Sequence, residues 1–314
     1  MPTYVDRIRG GIYGALVGDA LGVPVEFSER DDRDFDPVTG MRGYGTWAQL
    51  PGTWSDDGSL LLCSVEALVD GYSPERLANG FVRWLNETHW SARGSVFDIG
   101  NATRTAIRRL AAGTSPEVAG GTAPGDNGNG SLMRILPVAL RFAGEKPDLI
   151  ASIAARASRL THAHPRSCLA CSIYCDLAAR LLAGEPLRNA HQRTAAFIQG
   201  WADAPASEMP EFSRVLSPGL AALPRAQIAS GGYVVETLEA ATWCLLKNTD
   251  FRGTVLSAVN LGFDTDTTGC VTGGLAGVLY GMDAIPTEWL ASLPRQEELD
   301  QLIAEFAARS GQSK

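Results

Sequence analysis

Val5-Asp6-Arg7-Ile8-Arg9-Gly10-Gly11-Ile12-Tyr13-Gly14-Ala15-Leu16-Val17-Gly18-Asp19-Ala20-Leu21-Gly22 sets Val5, Ile8, Ile12 and Leu16 at three- and four-residue intervals, the spacing of a buried helical stripe. Gly11, Gly14, Gly18 and Gly22 lie on the same helix and leave a groove almost free of side chains. A glycine inside a helix costs about 1 kcal/mol relative to alanine. The pattern therefore predicts close approach of a second backbone along that groove.

The same periodicity continues along the chain, and strict apolar/polar alternation is almost absent. Helices are expected at about 57–70, 76–87, 99–112, 130–143, 148–159, 166–183, 188–202, 210–222, 233–246, 251–260, 266–280 and 296–309. Pro51-Gly52, Pro165, Gly184, Pro205 and Pro286 separate several of them. Gly113 to Gly130 has no period and is too long for a plain connector, which marks it as a functional loop or a disordered one. No linker or solenoid repeat divides the chain, so residues 1–314 are read as one all-α domain.

Composition narrows the function. With 314 residues, 45% of them apolar, the chain can bury a large core. A net charge of -8 and scattered basic residues argue against a surface that tracks nucleic-acid phosphates. The six cysteines sit in apolar stretches, as reduced thiols of a cytoplasmic protein would. Cys168, Cys171 and Cys175 share one helix face, a core stripe before it is an iron–sulfur site. No run approaches the roughly 18 apolar residues of a membrane span, and no secretory leader is visible. No membrane partner is expected, and the chain is read as a monomer.

Two acidic clusters stand where apolar helices begin: Thr53-Trp54-Ser55-Asp56-Asp57-Gly58 and Asp264-Thr265-Asp266-Thr267-Thr268-Gly269. One Ser, Thr or Asp suffices to cap a helix, and carboxylates in a first turn suit its dipole. Four carboxylates with several hydroxyls exceed that need. Such groups repel unless a cation lies between them, and oxygen-only ligands favour Mg²⁺, Mn²⁺ or Ca²⁺ over zinc. An EF-hand starting at Asp264 fails, because its bidentate glutamate position holds Leu275. Gly125-Asp126-Asn127-Gly128-Asn129-Gly130-Ser131 could cradle an anion at a helix start or simply turn the chain, but it lacks the lysine of a P-loop. His162 and His164 are too few for a zinc site.

Taken in order, Gly14 to Glu26, Trp54 to Asp57, Phe97 to Gly100, Gly125 to Arg134 and Asn260 to Gly269 closely resemble the ADP-ribosylglycohydrolases of the dinitrogenase-reductase-activating type, over about residues 8 to 290. The resemblance implies an all-α fold with two Mg²⁺ or Mn²⁺ ions in a cleft, and hydrolysis of the glycosidic bond joining ADP-ribose to an acceptor. By position, Ser55, Asp56 and Asp57 with Asp266 would hold one ion; Asp264, Asp266, Thr267 and Glu26 would form the second site and its surroundings. Glu26, Asp56 and Asp57 become the catalytic carboxylates. Gly125, Asp126, Asn127, Gly128, Asn129 and Gly130 would cradle the diphosphate, with Ser131 nearby, and His162 matches a contact to the distal ribose or phosphate. The family usually has threonine where this chain has Ser55; either hydroxyl can ligate.

Phe97-Asp98-Ile99-Gly100 resembles the corresponding loop of arginine-directed members. Asp98 then either meets a guanidinium acceptor or caps the helix expected from Ile99. The substrate would be an ADP-ribosylated protein, arginine-linked in the first instance, with a serine, nucleic-acid or small-molecule ester linkage as the alternative. The rivals are a phosphatase or nucleotide pyrophosphatase on the same carboxylates, and a silent ADP-ribose binder.

Overall fold

A computed structural model describes residues 1–310. Its helices are α1 (Tyr4–Gly22), α2 (Arg30–Phe35), α3 (Asp56–Leu68), α4 (Pro74–Glu87), α5 (Asn101–Ala111), α6 (Leu136–Phe142), α7 (Pro147–Arg159), α8 (Pro165–Leu182), α9 (Leu187–Gly200), α10 (Val234–Lys247), α11 (Phe251–Val259), α12 (Thr265–Tyr280), α13 (Thr287–Leu290) and α14 (Gln296–Arg309). Short 3-10 turns join several of them, and isolated bridges replace strands among the described residues.

The glycine groove is the axis of the architecture. α1 begins at a capping box, in which Thr3 accepts from the Asp6 amide and the Asp6 side chain accepts from the Thr3 amide. It then runs antiparallel to α12 with backbone against backbone. A methyl group built on Gly18 would lie 2.0 Å from the Gly269 carbonyl oxygen, and one on Gly14 would lie 2.3 Å from that of Gly273. The contact row is Gly10, Gly14, Gly18 and Gly22, spaced by four. Gly11, expected in the groove, instead faces the Val278 side chain. Ile8, Ile12 and Leu16 are fully buried as the stripe requires, whereas Val5 is 47% exposed and drops out of it.

One large core draws on most of the helices, and a smaller satellite lies around Leu220, Trp243 and Leu261. All six cysteines are buried free thiols, those of α8 among them. Two expected helices are corrected. The helix read at 130–143 starts at Leu136: Pro137 sits in its first turn, and residues 130–134 form turns instead. The helix read at 210–222 is two 3-10 turns, Met209–Phe212 and Leu220–Ala222. Phe212, Val215, Leu216 and Leu220 are buried with helical spacing, but Pro218 between them cannot continue a helical ladder. Gly113 to Gly130 forms no α-helix, only turns at Pro116–Val118 and Pro124–Asp126.

Candidate active site

The antiparallel run of α1 on α12 fixes where the two acidic clusters meet. Gly22 abuts Asp266, so the chain leaving α1 passes the first turn of α12. Asp19, one turn earlier, is fully buried and accepts from the Ser55 amide at 3.0 Å and the Gly58 amide at 2.8 Å. It thereby ties the start of α3 to α1, alongside Ser55, whose Oγ caps the helix by accepting from the Asp57 amide at 3.2 Å. Thr267 Oγ1 donates to Asp57 Oδ1 at 3.4 Å, a direct contact between the clusters.

The resulting cleft has a volume of about 350 Å³, in the range of small-molecule sites. Glu26, Asp56, Asp57, Asp98, Asp264 and Thr267 line its acidic side, and Gly125, Gly128, Asn129, Gly130 and His162 line the rest of the expected set. Oxygens of Glu26, Asp98 and Asp266 lie within 4.8 Å of one another. Crowding and burial act together on this group. Burial, reinforced by the charge of Asp266, pushes the pKa values of Asp19, Asp56 and Asp57 well up. Asp264 is raised to about 7, by burial and then by Asp266, and Asp266 to about 6, by burial and then by Glu26.

Glu26 follows a 3-10 turn, Val23–Val25, and is nearly buried. Trp47 Nε1 donates to its Oε2 at 2.5 Å, and Thr46 Oγ1 donates to its carbonyl at 2.8 Å. Burial lifts its pKa to about 7, against the indole bond, which favours the carboxylate. Trp47 also contacts the rings of Phe27 and Phe97, at centroid distances of 6.2 and 5.7 Å. The sequence reading missed both Asp19 and Trp47.

Asp98 does not cap α5; Gly100 holds that position. It adopts a left-handed backbone at φ 58° and sets its carboxyl beside those of Glu26 and Asp266, with oxygens within 4.8 Å of one another. Burial and the neighbouring carboxylates push its pKa far up.

Three of the expected loop residues turn away from the cleft. Ser131 is fully buried, its Oγ in hydrogen-bond contact with Ser158 Oγ at 2.8 Å beside Cys171. Asp126 folds back to accept from the Ala123 amide at 2.9 Å, and the Asn127 side chain is spent on Pro124 and Ser167. Because α6 starts only at Leu136, no helix N-terminus stands behind this loop. What faces the cleft is backbone at Gly128 and Gly130, whose amides donate to no backbone acceptor, and Asn129, whose Nδ2 donates to Asp264 Oδ2 at 2.8 Å.

A divalent cation fits this donor set. Asp57 Oδ2, Asp264 Oδ1 and Asp266 Oδ2 are buried without a hydrogen-bond partner. Leaving such oxygens unsatisfied is costly unless positive charge meets them. The acidic side offers oxygen atoms alone, the preference of hard cations.

An all-helical chain with a carboxylate-lined cleft between two helix starts is the setting in which the comparisons find a match. The family model described as ADP-ribosylglycohydrolase matches residues 1–314, and the chain belongs to that family of hydrolases. Among particular relatives, the chain is 33% identical to the ADP-ribosylarginine hydrolase Tri1 of Pseudomonas putida (strain GB-1), covering 98% of this chain and 80% of that one. It is 31% identical to the ADP-ribosyl-[dinitrogen reductase] glycohydrolase of Rhodospirillum rubrum, covering 95% and 93%. A solved structure titled ADP-ribosylglycohydrolase-related protein complex superimposes with a TM-score of 0.82 at 35% identity, covering 98% of this chain and 99% of that one. The chain is an enzyme that hydrolyses ADP-ribose linkages. Among the described residues no helix is long and apolar enough to cross a membrane.

Proposed function

We propose that the enzyme removes ADP-ribose from arginine on an acceptor protein, using a pair of Mg²⁺ or Mn²⁺ ions. The observation that carries the metal reading is the set of partnerless buried oxygens on Asp57, Asp264 and Asp266. Ser55, Asp56, Asp57, Asp264, Asp266 and Thr267 would hold the ions, with Glu26 beside them. When bound, such a pair supplies Lewis-acid polarisation of the ribose hydroxyls and of an attacking water.

The protein's own residues do the remainder. Glu26, held by Trp47, places negative charge where the anomeric carbon becomes oxocarbenium-like. Asp56 and Asp57 fix the ribose end through the same site. The amides of Gly128 and Gly130 with His162 receive the diphosphate, whose binding energy positions the sugar without touching the reacting bond. Asp98 meets the acceptor: a guanidinium presents two parallel donors to a carboxylate, and a serine linkage presents none. Arginine specificity draws support from the 33% identity to the arginine hydrolase.

The test is a panel of arginine-linked, serine-linked and ester-linked ADP-ribosyl substrates with Mg²⁺ or Mn²⁺, the product being weighed. Intact ADP-ribose released fastest from arginine is expected. Release of AMP would replace this reading with pyrophosphate cleavage, and binding without turnover would replace it with a silent receptor.

A further inference from the structure

Arg134 is an unusual group to find inside a protein. It is 1% exposed, its guanidinium lies 4.5 Å from the centroid of the Phe81 ring, and its hydrogen-bond partners are the Ala157 carbonyl and Thr161 Oγ1, at 3.2 and 2.7 Å. No carboxylate pairs with it among the described residues. A buried cation without a counter-ion is expensive, and an elaborate acidic cluster elsewhere in the same chain does not neutralise it.

Its bond to Thr161 has a consequence one residue on. Thr161 Oγ1 also lies 2.9 Å from His162 Nδ1. A hydroxyl has one proton. Because Thr161 Oγ1 accepts from the guanidinium, that proton is free to go to Nδ1, and among the described residues this hydroxyl makes no other hydrogen bond. Nδ1 is then the acceptor nitrogen, and the ring proton of a neutral imidazole resides on Nε2. Nε2 lies on the cleft side, 3.4 Å from a methyl built on Gly130 and 3.6 Å from one built on Gly128.

The ring has little freedom to do otherwise. The His162 amide donates to the Ser158 carbonyl at 2.9 Å, Ser158 Oγ donates to the His162 carbonyl at 2.9 Å, and the Ala163 amide donates to Gly121 at 2.8 Å. Burial, and then the charge of Arg134, hold the imidazole pKa down to about 3, so the ring is neutral across the physiological range.

We infer that Arg134 and Thr161 are positioning residues that lock His162 as an Nε2–H donor aimed into the cleft, toward an anionic oxygen of the substrate. The choice of an anionic oxygen follows from Arg134, whose unpaired positive charge stands behind the donor and opposes the repulsion an acidic cleft would exert on a phosphate. That the oxygen belongs to ADP-ribose rests on the function proposed above; the tautomer does not.

Two measurements separate these. Nitrogen-15 NMR of the His162 ring in the ligand-free wild-type chain at neutral pH should show a proton on Nε2 alone, and Thr161→Val should give a mixture of both tautomers. ADP-ribose affinity should fall about tenfold in Thr161→Val, roughly one lost hydrogen bond to a charged group, while Thr161→Ser, which keeps the hydroxyl, stays near wild type in both readouts. A proton on Nδ1 in the wild type overturns the relay. So does a Thr161→Val variant with unchanged tautomer and unchanged affinity. If the valine variant does not fold, the wild-type spectrum and the serine variant still decide. Failure of wild-type protein to bind ADP-ribose, with Nε2 protonated, would instead overturn the ligand assignment and leave the relay standing.

Discussion

Asp57, Asp264 and Asp266 each keep a buried oxygen with no donor, whereas His162, in the same cleft, has its backbone pinned on both sides and Nδ1 satisfied. One side of the cleft therefore keeps buried acceptors open, and burial with mutual repulsion holds its carboxyl groups toward the neutral form. The other is finished as folded, with neutral donors already aimed. The difference teaches that stability and function pull apart on the acidic side and run together on the glycine-histidine side. Substitutions should separate the two.

The largest effect is expected at Asp266. Asp266→Asn should lower turnover by about a thousandfold or more, equivalent to roughly 4 kcal/mol of barrier. In chelator the same variant should melt no lower than the parent, because it replaces a carboxyl whose charged form burial and the neighbouring acids already disfavour. Rates of ADP-ribose release and melts in EDTA check both halves. A variant that is inactive because it is unfolded would erase the contrast.

Much of this site could be read in advance, for a physical reason: both clusters exceed what a helix cap needs, and that excess is local in sequence. Asp19 could not be read, because a lone acid in an apolar helix has no pattern; only the antiparallel packing of α1 shows that it serves the start of α3. Trp47 lay in a stretch without periodicity, and its role depends on Glu26 being delivered from another segment. The fold was legible along most helices that carry an apolar stripe, although α6 begins later than its apolar run. It failed at 210–222, where burial follows the helical spacing but Pro218 forbids the ladder, and at α2, whose six residues are mostly charged. The glycine groove was correctly read as a backbone contact, although its exact row differs by one residue, Gly10 in place of Gly11.

That groove supplies the next effect. A methyl at Gly18 would clash with the Gly269 carbonyl, with backbone on both sides and nothing flexible to yield. Gly18→Ala should cost about 3 kcal/mol, at the upper end of overpacking penalties, and should weaken turnover as well, because α1 carries Asp19 and delivers Glu26. Denaturant unfolding and steady-state rates measure the two. Loss of stability with a normal rate would mean that the acidic side does not inherit its geometry from this contact.

A smaller, reversible change is expected from the cation itself. Mg²⁺ or Mn²⁺ at about 100 times its dissociation constant should stabilise the folded chain by roughly 2.7 kcal/mol, and Asp57→Asn should abolish most of that gain. His162→Gln should leave it intact, since that side needs no ion. Calorimetric melts with and without metal distinguish these outcomes. An equal gain in both variants would mean that the ion binds elsewhere. Trp47→Phe comes next: the ring contacts with Phe27 and Phe97 can persist while the donor to Glu26 is lost. A fall of about tenfold in kcat with unchanged ADP-ribose affinity is expected, the size of one charge-assisted hydrogen bond.

The smallest effect is a difference between substrates, and it tests whether the acidic side reaches the acceptor. Asp98 sets its carboxyl against those of Glu26 and Asp266 from a left-handed backbone, so it is part of the cluster and not a helix cap. Its carboxyl is pushed toward the neutral form by burial and by its neighbours while no cation or guanidinium is near. An arginine acceptor brings the positive charge that restores the carboxylate and offers it two parallel bonds; a serine-linked acceptor brings neither. Asp98→Asn keeps the shape and some hydrogen bonding but cannot become charged. Its kcat/KM should therefore fall about fivefold further on ADP-ribosyl-arginine than on an O-linked substrate, a difference of roughly 1 kcal/mol. Because Asp98 also touches Glu26, both substrates should slow, and only the ratio is informative. A ratio unchanged from wild type would confine Asp98 to the carboxylate cluster and move acceptor recognition to the aromatic rim of Phe27 and Phe97.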